Sequence, residues 1–282
     1  MSRNDGVHQN QERTRYLIIG PNRSGTTVVH LAVEGHPNSS ALSDEMRVST
    51  FFTRGIRAFT YGGELPEERQ RGFSALFDAV TLLRGSPDTM ANGAKVATYS
   101  PRLTRVIVET LQASLPNMKV ILMTRRDLVA QYGSLLHMRR SGILHSWYEG
   151  FKTLKIQKMR ISKWRFLTYC ISIERMYRTL QDLKATHEVL DVEFEDLLNK
   201  PRAMYDRIFQ FLGLPVVEPN WVDSKKVLPP PDRYIENYAQ LTALLEKFRQ
   251  GDLSASSLWV PEFLANSYER LRYLKQKYCL RI

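Results

Sequence analysis

Cysteine is scarce in this chain. Its 282 residues carry two, Cys170 and Cys279, far apart and in no metal-ligand spacing. That argues against a disulfide framework and a zinc site, and it favours a reducing compartment. Long apolar runs are missing as well: no stretch approaches the roughly 18 apolar residues of a bilayer-spanning helix. The opening "MSRNDGVHQNQERTR" lacks the apolar centre of a signal peptide. The expectation is a cytoplasmic protein with a flexible tail over residues 1–14. Acidic residues are also in short supply, with 29 against 40 lysines and arginines, a formal charge of +11. Such a surplus favours an anionic ligand, a nucleic acid or an acidic membrane surface, and charge alone does not rank the three. Repeats and linkers are absent, so residues 15–282 read as one domain.

What is present begins with "YLIIGPNRSGTTVVH", Tyr16 to His30. It reads as a buried strand, a tight turn and a helix opening near Gly25. That geometry aims free backbone N–H groups and the positive end of a helix dipole at an anion. Against the ATP-binding pattern GxxxxGK[ST], the glycines fall in register at Gly20 and Gly25, but Thr26 stands where the lysine belongs. A cation occurs three residues earlier, at Arg23. The loop keeps an anion cradle and relocates its charge.

Further along, "HPNSSALSDEMRV" carries turn residues and a short second strand, and "LPEERQRGFSALFDAVTLLRG" has helical apolar spacing. "AKVATYS" reads as a strand, "PRLTRVIVETLQASL" as a helix starting at Pro101, and "KVILMT" as a strand buried on both faces, followed by a helix from near Asp127. Periodicity weakens over residues 141–163, where Lys152, Lys155, Lys158, Arg160 and Lys163 oppose the single acid Glu149, as in a mobile basic insertion or lid. A helix over "RFLTYCISIERMYRTLQDL", a strand over "HEVLDVEFED", and a helix "PRAMYDRIFQFLGL" closed by Gly213 come next; Pro229 to Ile282 reads as two more helices. Strands alternating with helices imply an α/β fold, a central parallel sheet flanked by helices, with ligands beyond the strands' carboxyl ends.

A magnesium-nucleotide enzyme of this architecture ends a central strand with a carboxylate. Here "KVILMT" ends in Arg125 and Arg126, which repel a metal and attract a second phosphate, with Ser134 two helical turns beyond Arg126. The chain thus offers two anion pockets and no metal site.

Two stretches, "GPNRSGTT" and "RRDLVAQYGS", resemble the 5′-phosphosulfate loop and the 3′-phosphate motif of sulfotransferases that use 3′-phosphoadenosine 5′-phosphosulfate (PAPS). "EGHPN", "VEFEDLLNKP" and "RIFQFLGLP" are similar to later landmarks of the same family, so the likeness runs from Arg15 to Leu214 in order. The arginine in the first loop is closest in style to the carbohydrate, tyrosylprotein and bacterial sugar branches. The resemblance implies a P-loop NTPase-like sulfotransferase fold and transfer of the sulfuryl group of PAPS, without metal, to a hydroxyl of a carbohydrate or glycolipid.

The resemblance also implies roles. Arg23 is expected to neutralise the transferring group, while Ser24, Gly25, Thr26 and Thr27 hold the 5′-phosphate. Arg126 and Ser134 are expected to grip the 3′-phosphate, with Arg125 as a substitute for Arg126. Glu45 is the candidate general base, with Asp44, His137 or His145 as alternatives. Lys95 is expected to support the leaving phosphate, and Lys226 or Lys225 to close over the nucleotide. The basic stretch at 152–165 and the loops at 48–67 and 141–163 are expected on the acceptor side. Two other readings compete. A P-loop kinase with a displaced cation would use Glu193 or Glu195 on a metal. A basic RNA- or polyanion-binding protein would explain the net charge, although the chain lacks a stacking motif or recognition helix for nucleic acid.

Overall fold

The computed structural model describes residues 13–42, 75, 77–79, 81–82, 85–141, 156–218 and 228–251. In chain order, the elements are β1 (Thr14–Pro21), α1 (Thr26–Glu34), β2 (Ser39–Leu42), β3 (Ala91–Thr98), α2 (Pro101–Ser114), β4 (Lys119–Thr124), α3 (Leu128–Ser141), α4 (Lys163–Gln181), β5 (Val189–Glu193), α5 (Phe194–Asn199), α6 (Pro201–Leu212) and α7 (Tyr238–Arg249). The strands form one sheet in the order β2-β3-β1-β4-β5, and every pair in it is parallel. The α/β architecture expected from the sequence is the one observed.

β1 lies at the centre, and its alternation divides the core. Tyr16 and Ile18 join Val29 and Val33 of α1 and Tyr205, Ile208, Phe209 and Leu212 of α6 on one face. Leu17 and Ile19 join Ile107 and Leu111 of α2 and Leu180 of α4 on the other. Two-residue periodicity puts alternate side chains on opposite faces, so one short strand feeds two apolar layers. Burying each such side chain contributes about 1.5–3 kcal/mol. A third cluster joins α3, α4 and α7 through Tyr132, Phe166, Ile173, Tyr234, Leu241 and Leu245.

Helix ends follow local chemistry. Ser100 Oγ accepts from the Leu103 N–H ahead of α2, which has Pro101 in its first turn. α6 starts at Pro201 and stops at Gly213 in the left-handed conformation.

The structure departs from the sequence expectation at particular places. β3 begins at Ala91, ahead of the expected "AKVATYS". Asn92 and Gly93 disfavour strands on their own, but the buried Asn92 side chain donates to Thr81 Oγ1 at 2.7 Å. The strand expected over "HEVLDVEFED" stops at Glu193, and Phe194 opens α5, whose first turn carries Glu195 and Asp196. Carboxylates favour a helix N-terminus. Of the helix expected over 65–85, positions 75, 77–79 and 81 are helical and the remainder lies mostly outside the described residues. α7 is one of the two helices expected in the tail, and residues 252–282 lie outside.

From the basic stretch, Met159 and Ile161 are buried. Met159 exchanges backbone hydrogen bonds with Tyr234 and Glu236, and the Asn237 side chain bonds both N–H and C=O of Ile161. Lys158, Arg160, Lys163 and Arg165 point to solvent. Among the described residues no helix is long and apolar enough to cross a membrane.

Candidate active site

β1 ends at Pro21, and the chain turns within four residues into α1. Asn22 N–H donates to Thr98 O at 2.9 Å and Ser24 N–H to Pro21 O at 3.1 Å. Arg23 adopts φ 67° and Gly25 φ 100°. A non-glycine residue in that region costs about 1–2 kcal/mol, so Arg23 is held there by its surroundings. Gly25 is required twice over: its φ is left-handed, and a Cβ there would sit 2.5 Å from Phe194 Cδ2. α1 has neither a side-chain cap nor an acid in its first turn. The first N–H groups of a helix have no intrahelical acceptor, so Gly25, Thr26 and Thr27 present donors at the end of β1. The Ser24 N–H, expected among these donors, is spent inside the turn. Its hydroxyl is buried with no partner.

Lys95, on β3 beside β1, is 4% exposed, and its Nζ donates to Thr27 Oγ1 at 3.0 Å. Below it on α1, His30 is buried with both ring nitrogens lacking a hydrogen-bond partner. Burial, aided by the Lys95 charge, pushes the His30 pKa down to about 3. Glu34 lies 3.7 Å away and favours the charged ring, but that distance is too long for a hydrogen bond and does not offset the burial.

The second motif meets the first. Arg23 Nε donates to Ser134 Oγ at 3.0 Å across 111 residues of chain. Ser134 lies on α3 with 8% exposure. Gln131, one turn earlier on the same helix, donates through Nε2 to Asn22 O at 2.9 Å. His137 is buried on α3, and burial, with the charges of Arg140 and then Arg23, lowers its pKa.

The two arginines at the end of β4 part company. Arg126 pairs with Glu193, and lies 3.6 Å from Asp196, with its side chain 58% exposed. Its backbone N–H and that of Asp127 donate to the Glu195 carboxylate. Arg125 turns toward the loop instead. Its Nη1 donates to Arg23 O at 3.2 Å, its guanidinium lies 4.6 Å from the centre of the Phe194 ring, and its N–H donates to Tyr177 Oη at 2.9 Å.

Glu45, Asp44, His145, Lys225 and Lys226 lie outside the described residues. Sequence reasoning passed over Gln131, Phe194, Tyr177 and Tyr234. Gln131 had a usable signal, since it stands three residues before Ser134 on one helix face. The aromatic residues had none in local sequence. Burial pushes the Tyr234 phenol up to about 12, opposed by the charges of Arg125 and Arg23.

An uncapped helix start, a buried ammonium and a guanidinium bonded to a hydroxyl of a second helix stand together at the carboxyl edge of the parallel sheet of an α/β protein, an arrangement with the chemistry to receive an anion. The sequence matches the Sulfotransferase family over residues 16–219, and the chain belongs to that family. Direct comparison with curated proteins finds no match. Among solved structures, the chain is similar to a sulfotransferase from Alicyclobacillus acidocaldarius at 16% identity and TM-score 0.43, covering 86% of this chain and 98% of that one. It is also similar to the sulfotransferase domain of the Synechococcus PCC 7002 olefin synthase at 19% and 0.46, covering 95% and 98%. A sulfotransferase domain from the curacin biosynthetic pathway matches at 11% and 0.40, covering 83% and 98%.

Proposed function

We propose that this sulfotransferase takes its sulfuryl group from PAPS and delivers it to a hydroxyl of a carbohydrate or glycolipid, by in-line transfer without metal. The observation that carries the reading is the 3.0 Å bond from Arg23 Nε to Ser134 Oγ. It brings the two motifs expected at the two ends of one nucleotide to a common edge of the sheet. The orphaned, buried Ser24 hydroxyl and the open start of α1 fit a phosphate-bearing donor.

The donor, when bound, supplies an activated sulfuryl group on a phosphate leaving group. Gly25, Thr26 and Thr27 offer N–H groups, and Thr26 and Thr27 their hydroxyls, to the 5′-phosphate. Arg23 neutralises the oxygens whose charge grows at the transition state, and Lys95 supports the leaving oxygen. Ser134, and Arg126 once it exchanges its carboxylates for phosphate, serve the 3′-phosphate; Lys226 closes over the nucleotide. Glu45 takes the proton of the acceptor hydroxyl, an effect typically worth about 10² to 10⁴ in rate.

The carboxylates that a magnesium-dependent kinase would require are otherwise engaged, Glu193 by Arg126 and Glu195 by two backbone N–H groups. The reducing, cytoplasmic setting read from the scarcity of cysteine is part of this proposal.

The test is calorimetric titration with 3′-phosphoadenosine 5′-phosphate (PAP), followed by transfer of radiolabelled sulfate from PAPS to fractionated hydroxyl acceptors. Micromolar binding that survives EDTA and weakens in Ser134→Ala is expected. Binding of magnesium ATP in place of PAP would overturn the proposal.

A further inference from the structure

Two consecutive carbonyls of the anion loop are held by side chains that come from the other motif. Gln131 Nε2 donates to Asn22 O, and Arg125 Nη1 donates to Arg23 O. Arg23, the second of those two residues, is the one non-glycine among the described residues with a positive φ. Such a conformation persists only where the surroundings over-determine it.

Arg125 is itself fixed from two further sides. Its backbone N–H is bonded to Tyr177 Oη and its guanidinium lies on the Phe194 ring. That ring also fills the space where a side chain at Gly25 would be. Its Nε is buried with no hydrogen-bond partner.

We infer that Arg125 is a positioning residue. With Gln131 it clamps the carbonyls of Asn22 and Arg23, and so holds the Arg23 backbone in the left-handed turn from which its side chain reaches Ser134. Arg125 acts through Arg23 and needs no contact with the nucleotide. The inference rests on the proposed donor only in its kinetic consequence; the clamp itself belongs to the ligand-free protein.

The first measurement is therefore independent of turnover. Amide hydrogen exchange is followed by mass spectrometry on wild type, Arg125→Met, Arg125→Lys and Gln131→Leu without ligand. Methionine keeps an unbranched chain on the Phe194 ring but cannot donate. Faster exchange in peptides covering Asn22–Thr27 is expected in Arg125→Met and, more weakly, in Gln131→Leu, with β4 and α2 unchanged and partial recovery in Arg125→Lys. Unchanged loop exchange in both Arg125→Met and Gln131→Leu would overturn the inference, whatever the donor proves to be. If Arg125→Met fails to fold, Arg125→Lys and Gln131→Leu carry the same reading.

The second measurement is kinetic. A small misplacement of a catalytic group costs on the order of 10²-fold, so Arg125→Met is expected to lower kcat by about 10- to 100-fold while KM for PAPS moves less than threefold. In an Arg23→Ala background the same change should cost nothing further. An equal loss in both backgrounds would mean that Arg125 acts independently of Arg23 and would overturn the clamp. If wild type binds no PAP, the proposed function fails and the exchange result alone decides this inference.

Discussion

The loop after β1 and the connection after β4 are both strand-to-helix turns at one edge of one parallel sheet, yet they are built from different materials. At the first, α1 starts without a side-chain cap and the turn is paid for in backbone strain at Arg23. At the second, Asp127 Oδ1 accepts from the Ala130 N–H at 2.8 Å, and the Glu195 carboxylate takes the N–H groups of Arg126 and Asp127. The first helix start is open to an anion and the second is already filled. An anion near β4 must therefore be held by side chains, whereas one near β1 can be held by the backbone.

The sharpest way to break that contrast is Gly25→Ala. A methyl group there meets the Phe194 ring in a conformation that itself costs about 1–3 kcal/mol. Denaturant unfolding should register a loss of that size, and PAP titration should show no binding. A stable variant that still binds would refute the backbone cradle. Next in size is Arg23→Ala, expected to lower turnover by about 10² to 10³ with an almost unchanged unfolding midpoint.

Beneath the loop, acid should act through His30. Its folded pKa near 3 lies below the ordinary value of about 6.5, so as pH falls the unfolded chain takes up the proton first. The stability linked to this histidine is whole above about pH 6.5 and is lost toward pH 3, at about 1.4 kcal/mol per unit. Because both ring nitrogens lack hydrogen-bond partners, His30→Leu should fold and should show a shallower decline in unfolding free energy between pH 6 and pH 4. An unaltered slope would mean that the histidine is charged in the folded state.

At the second turn the effects should be smaller. Ser134→Ala removes one hydroxyl contact worth about 1 kcal/mol, so PAP affinity should drop about fivefold in calorimetry. Smallest is Glu193→Gln, which weakens a partly exposed ion pair. Such pairs are worth about 0–1 kcal/mol, and freeing Arg126 should raise PAP affinity no more than about threefold. No change at low salt would mean that Arg126 does not reach the nucleotide.

Much of the frame was legible in residue order. β1, the loop and α1 were readable because a buried strand, two glycines and a helix start are all local features. Pro101, Pro201 and Gly213 marked helix ends for the same reason. The boundary at Glu193 was not readable, since "VLDVEFED" alternates well enough to continue as a strand, and α5 begins there because Phe194 and Glu195 have partners more than 60 residues away. Nor was the start of β3, where Asn92 depends on Thr81. In the candidate site, the pairing of Arg23 with Ser134 turned the expectation of a shared edge into a distance, while the spacing to Ser134 had favoured Arg126 with Arg125 only as its substitute, and in the fold it is Arg125 that turns to the loop and Arg126 that pairs with Glu193.

Order of residues alone determined that this chain would make a parallel sheet, that a helix would open at Gly25 behind a tight turn, and that cations would stand at the end of β4. Those outcomes depend on periodicity and backbone stereochemistry, which act within a few residues. Which arginine turns inward, and which helix start stays open, was decided only when β5 and α5 packed alongside. The Phe194 ring offers a cationic group one surface to stack on, and the carboxylate of Glu195 fills the donors of one turn and leaves the other bare.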